Sequence, residues 1–109
     1  MDKLIERGLL YDYYGGLLSE KNRRIYEAAA IDDMSLAEIS DEMGISRQAV
    51  SETLKRTDDK LRGYEKELQL ILKAGRLEEA VTELREAAFG EPIDRERLID
   101  IIDRIEEAI

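Results

Sequence analysis

The sequence predicts an all-α fold built around a helix-turn-helix, and three observations carry that expectation. Apolar residues recur at helical spacing along the chain, with no stretch of strand-like alternation. The single proline, Pro92, lies in a clear break at Gly90-Glu91-Pro92, and Gly15-Gly16 marks an earlier turn. Between Ser35 and Leu54, a helix start, a glycine turn and a second helix start follow one another at helix-turn-helix spacing.

The elements follow in order. The first helix is predicted over Asp2 to Tyr14, ending at the glycine pair. Ser19 then caps a second helix running to about Ile31, and Asp32-Asp33 turns the chain. Ser35 and Glu38 have the spacing of a capping box, and Met34 and Ile39 that of a hydrophobic staple. The third helix is therefore expected from Leu36 to Met43, stopped by Gly44 in left-handed backbone. Ser46 caps the fourth, with Ile45 and Val50 as its staple. No strong stop follows before Gly75, which predicts a helix of roughly 28 residues and about 42 Å. Gly63 weakens it by about 1 kcal/mol relative to Ala and marks a place for a bend or break.

Within that helix Val50, Leu54, Thr57, Leu61, Tyr64, Leu68 and Ile71 alternate by four and three residues. This is heptad spacing, which serves either as a core stripe on the protein's own helices or, from Leu61 onward, as a seam with a second copy. A fifth helix is expected after Gly75, with Leu77, Ala80, Val81, Leu84, Ala87 and Ala88 as its apolar stripe. Asp94 caps a sixth, stapled by Ile93 and Leu98, with Leu98, Ile101, Ile102, Ile105 and Ile109 on one face. The expected division is a helix-turn-helix domain at 1–62 and a helical extension at 63–109 used for packing or dimerisation.

Composition narrows the functions. The chain has 109 residues, no cysteine and no histidine. That removes disulfides, thiolate nucleophiles, Cys/His zinc sites and Ser-His-Asp triads. No phosphate-cradling glycine motif is present. No catalytic residue, metal or cofactor is expected, and the protein reads as a non-enzyme. The first seven residues mix both charge signs and no apolar run is long enough to span a bilayer, so a cytoplasmic protein without membrane insertion is expected.

The net charge of −9 argues against indiscriminate polynucleotide binding. The acidity is uneven, however. Residues 76–109 hold 5 basic and 11 acidic side chains, whereas residues 1–75 hold 12 and 15. A nearly balanced N-terminal part can still gather its basic groups on one face.

The fourth helix carries the candidate site. With Ala49, Val50 and Leu54 facing the core, Ser46, Arg47, Gln48, Ser51, Glu52, Lys55 and Arg56 are left for a nucleic acid. Arg pairs with guanine edges and Gln with adenine edges through two hydrogen bonds each. Ser51 suits a base or a phosphate, and Lys55 and Arg56 suit phosphates. Glu52 accepts from a cytosine amino group or repels phosphate. Lys21, Arg23 and Arg24 form a second basic cluster, which is either an ordinary solvated face or a further contact. The aromatic run Tyr11 to Tyr14 is either core, with Leu10, Tyr14 and Leu17 on one side, or a platform for stacking unpaired RNA bases.

The Tyr11-Asp12-Tyr13-Tyr14-Gly15-Gly16-Leu17-Leu18-Ser19-Glu20-Lys21 start and the Ser46-to-Thr57 segment together resemble the YlxM family of bacterial DNA-binding proteins. The resemblance covers roughly residues 4 to 72; the last third matches only in length and helical character. It implies a helix-turn-helix similar to the fourth region of sigma factors, without a wing. It also implies a link to the signal recognition particle pathway. The expected function is therefore a nucleic-acid-binding regulator, with DNA as the partner. The alternative is an adaptor that contacts the particle's RNA or protein without binding DNA. A homodimer is expected, and a structural dimer that binds no polynucleotide is a third reading.

Overall fold

The computed structural model describes residues 2–109. Their regular elements are helices: α1 (Lys3–Tyr14), a short 3-10 turn (Gly15–Leu17), α2 (Glu20–Ala30), α3 (Leu36–Met43), α4 (Arg47–Leu68), α5 (Leu70–Phe89) and α6 (Arg95–Ala108). No strand, and so no wing, occurs among the described residues. The chain parts between Leu68 and Gln69 into two compact units.

The helix starts fall where side-chain oxygens can reach unpaired backbone amides. Asp2 accepts from the Leu4 amide at 2.8 Å and Ser19 from that of Asn22 at 3.3 Å. Ser35 and Glu38 form the reciprocal capping box, with both bonds at 3.1 Å. Ser46 accepts from the Ala49 amide at 3.0 Å. Asp94 accepts from Glu96 and Arg97, at 3.0 and 3.3 Å.

In the first unit α4 is the spine, and α1, α2 and α3 each pack against it. Val50, Leu54, Thr57 and Leu61 of α4 are buried, with Leu10 and Tyr14 of α1, Ile25 and Tyr26 of α2, and Ile39 of α3. The heptad seam therefore serves the protein's own core at least as far as Leu61, which is fully buried. Tyr64, half-buried, packs its ring 6.0 Å from that of Tyr14.

The helix lengths correct two expectations. α4 passes through Gly63, and so through the expected 62/63 boundary, without interruption. It stops at Leu68 after 22 residues, well short of Gly75, which lies inside α5. The break is at Gln69, whose backbone is left-handed (φ 55°, ψ 33°). Glutamine carries no sequence signal for that conformation, which residues other than Gly, Asn and Asp seldom adopt. The 3-10 turn corrects a third. It advances about 120° per residue where an α-helix advances about 100°. Leu18 therefore takes the inward place expected of Leu17, which is exposed.

One charged group lies in this core. Asp58 on α4 is buried and accepts a two-pronged ion pair from Arg7 on α1. Arg7 Nε donates to Oδ1 at 2.9 Å and Nη2 to Oδ2 at 2.7 Å. The Tyr26 hydroxyl on α2 donates to Oδ1 at 2.7 Å. Burial pushes the Asp58 carboxyl up, but the bonds from Arg7 and Tyr26 and the charge of Arg7 outweigh it and hold the group below its ordinary value. Burial, aided by the bond to Asp58, pushes the Tyr26 phenol well up.

The second unit is a helical hairpin. α5 and α6 pack through Ala80, Ala87 and Ile101, with Leu98 and Ile105 partly buried against them. Glu83 pairs with Arg104, and Glu86 with Arg97 at 3.5 Å, which sets the two helices antiparallel. The expected stripes are wider than this contact. Val81 and Leu84 of α5, and Ile102 with the terminal Ile109, remain exposed, because one neighbouring helix covers only a narrow line on each.

Two stability tests follow from the first unit. A Cβ on Gly15 would lie 2.6 Å from Cε1 of Tyr11, whose ring stacks on Tyr26 and whose hydroxyl bonds Glu27. Gly15→Ala is expected to cost about 1–3 kcal/mol in urea denaturation. Gly16→Ala meets nothing within 4 Å and leaves stability unchanged or slightly raised. Equal losses for the two variants would show that the Tyr11 contact is not the constraint.

Asp58→Asn leaves Arg7 without its counter-charge and is expected to cost about 3–5 kcal/mol at neutral pH. Because folding depresses this carboxyl, its contribution is complete above the ordinary aspartate range and is lost as pH falls through the folded-state value. The melting curves of Asp58→Asn and the parent should therefore converge on acidification. A gap that stays constant with pH would refute the assignment.

Candidate nucleic-acid interface

The turn between α3 and α4 fixes how α4 is presented. Gly44 ends α3 in left-handed backbone (φ 68°, ψ 30°), and its amide bonds the Ser40 carbonyl at 3.0 Å. The Ile45 amide reaches the same carbonyl at 3.3 Å, and the Ser40 hydroxyl donates to the Ile45 carbonyl. Ile39, Val50 and Leu54 are buried between the helices, and Met43 and Ile45 half-buried at the corner. The apolar contacts and the capping predict this geometry residue by residue.

Ser46, Arg47, Gln48, Ser51, Glu52, Lys55 and Arg56 are all exposed. They are not equivalent. At about 100° per residue, Arg47, Ser51, Lys55 and Gln48 fall within an arc of little more than one quadrant of α4, whose Arg47 edge lies only about 20° from the buried Leu54. Glu52 borders that arc, and Arg56 lies round the side, 3.5 Å from the Thr53 hydroxyl. The Ser46 hydroxyl is occupied as the cap. Gln48 Nε2 donates to Glu52 Oε1 at 3.2 Å, so the glutamine amide is held by a neighbouring carboxylate. Arg47, Ser51 and Lys55 make no side-chain hydrogen bond or ion pair among the described residues.

The second basic cluster is divided. Lys21 and Arg24 line a shallow pocket of about 280 Å³ with Glu20 and Met43, beside the end of α3. Arg23 faces Tyr11 instead, whose phenol raises its guanidinium further. The aromatic run is mostly interior. Tyr14 is fully buried and Tyr11 is stacked on Tyr26 at 6.1 Å, which leaves only Tyr13 exposed.

A further feature borders this face of α4. A groove of about 490 Å³ runs between Lys3 and Arg7 of α1, Leu36 of α3, and Ser51, Lys55 and Arg62 of α4. Asp58 and Asp59 also line it. No sequence signal marks it, because Lys3 and Arg62 lie far apart in the chain and meet only through the packing of α1 on α4. Among the described residues, no cluster of three or more histidine, cysteine or carboxylate side chains is arranged to hold a metal. No helix among them is long and apolar enough to cross a membrane.

Residues 1–107 match the family described as "UPF0122: Putative helix-turn-helix protein, YlxM / p13 like". The chain belongs to that family. It is 36% identical over 108 residues to a UPF0122 protein of Halalkalibacterium halodurans, covering 97% of this chain and 99% of that one. A UPF0122 protein of Thermoanaerobacter sp. (strain X514) is 42% identical over 108 residues, covering 97% of this chain and 90% of the relative. One from Bacillus cereus (strain AH187) is 33% identical over 107 residues, covering 98% and 97%. Family membership thus extends over α5 and α6, where the sequence resemblance rested on length and helical character alone.

Proposed function

We propose that this UPF0122 protein is a DNA-binding regulator that lays the first turns of α4 in the major groove. The observation that carries the reading is a set of partner-free side chains, Arg47, Ser51 and Lys55, on the exposed start of a helix whose other face is locked by the α3–α4 turn. The B-DNA major groove admits a helix, whereas that of A-form RNA is too narrow to be read by side chains. The burial of Tyr14 and the stacking of Tyr11 also favour DNA over a base-stacking RNA platform. Arg47 and Gln48 supply base readout, Ser51 and Lys55 bond bases or phosphates, and Glu52 restrains Gln48. Arg56 reaches phosphate only from the flank. The link to the signal recognition particle pathway and a cytoplasmic location rest on the family resemblance and the sequence.

The second unit favours a homodimer. Val81 is 50% exposed and Ile102 48%, on helices that repeat apolar residues by four and three. Two such hairpins brought together form a four-helix bundle, which would cover both stripes. Two-fold symmetry would then present a pair of α4 helices to a paired DNA site. The acidity of α5 supports one other reading, an adaptor contacting a basic surface of the signal recognition particle protein. Glu83 and Glu86 are engaged with α6, which leaves Glu78 and Glu79 for that contact.

Two experiments test these readings. In fluorescence anisotropy, Arg47→Ala is expected to lose about 1–3 kcal/mol of affinity for duplex DNA from the upstream region of its own gene, with unchanged helicity. Salt-sensitive binding to that DNA supports the regulator. Preference for signal recognition particle RNA, or no binding to either, overturns it. In sedimentation equilibrium at micromolar concentrations, the parent should be a dimer and Val81→Glu/Ile102→Glu a folded monomer. A monomeric parent overturns the pairing.

A further inference from the structure

We infer that the groove between α1 and α4 seats one backbone phosphate of the bound nucleic acid, with Lys3 and Lys55 as the cations that close on it. The inference rests on the DNA-binding reading above and adds to it a contact from α1, outside the helix-turn-helix.

The charges around the groove single it out. Lys3, Arg7, Lys55 and Arg62 line it against Asp58 and Asp59, an excess of two positive charges in a chain whose net charge is −9. The two arginines are already engaged. Arg7 is spent on Asp58, and Arg62 pairs with Glu6 at 2.6 Å and lies 3.9 Å from Asp59. That leaves the two ammonium groups, one from each wall, with no ion pair or hydrogen bond among the described residues. Two like charges facing one groove repel, and an anion between them turns repulsion into attraction.

Position points to a phosphodiester rather than another anion. Ser51 and Lys55 belong both to the groove and to the recognition face, so the strand that borders a major groove occupied by α4 passes over the groove mouth. Ser51 adds a hydroxyl donor. Leu36, the first residue of α3, stands at the same rim. Asp59 is the one opposing charge not held by a bidentate partner; its side chain is 69% exposed, with room to turn outward. A contact of this kind sets the register of α4 on the duplex and carries no sequence information.

The test is the salt dependence of binding by the full chain, measured by anisotropy on random-sequence duplex and on upstream duplex DNA. Lys3→Gln is compared with Lys60→Gln, which removes the same charge from an exposed site of α4 that does not line the groove. Both side chains are exposed, so helicity should be unchanged in each. Lys3→Gln should make the slope of log affinity against log salt shallower by about 0.9, the loss of one phosphate contact. The weakening should be alike on both duplexes. Lys60→Gln should keep the parental slope. An unchanged slope for Lys3→Gln, or an equal change for Lys60→Gln, overturns the phosphate seat while leaving the DNA-binding reading intact. Failure of the parent protein to bind either duplex overturns that reading itself.

Discussion

The buried carboxylate of Asp58 constrains the first unit more than any apolar contact does. A charge in that position is tolerated only with partners of good geometry, since the loss of hydration otherwise exceeds the attraction. Arg7 and Tyr26 supply those partners from two other helices, so one side chain fixes α1 and α2 against α4. Apolar packing alone tolerates small rotations and slides; a two-pronged guanidinium–carboxylate pair does not. The Arg7 guanidinium also lies 5.9 Å from the centre of the Tyr26 ring, which ties these two partners of Asp58 to each other. The consequence reaches the surface. By holding α1 in place, the pair brings Lys3 beside Ser51 and Lys55 and so shapes the groove next to the candidate interface.

The two units solve the burial problem differently. Three helices around α4 enclose whole side chains such as Tyr14, Tyr26, Ile25 and Ile39. A hairpin of two helices has no interior of that kind. It brings its backbones together through Ala80 and Ala87 and covers Ile101, but leaves the flanking stripes in water. Two amphipathic helices alone bury too little apolar surface to balance the conformational entropy of ordering them. That imbalance is the physical ground for giving the second unit a partner surface.

Much of the helix pattern was legible in the sequence, and for a local reason. Helix starts are written as short side-chain oxygens near free amides, and the stop of α3 as a glycine that accepts left-handed backbone. Both need only a few neighbouring residues, so Ser19, Ser35, Gly44, Ser46 and Asp94 could each be read in isolation. The candidate recognition residues were legible as well, since exposure on a helix follows from which of its positions are apolar. What was not legible depended on distant parts of the chain. Asp58 reads as one more surface carboxylate until Arg7 and Tyr26 are brought to it. Leu17 and Leu18 exchange places because one turn is wound more tightly. The break at Gln69 has no local signal at all.

The sequence by itself therefore determined the helical class, the caps, the helix-turn-helix and the face of α4 that carries Arg47, Gln48, Ser51 and Lys55. These follow from hydrogen bonds and periodicities spanning one or two turns. Only the tertiary structure decided where α4 ends, which polar group lies in the core and which cations share a groove. Those outcomes depend on burial and on charges meeting across helices, and neither exists until the helices have packed.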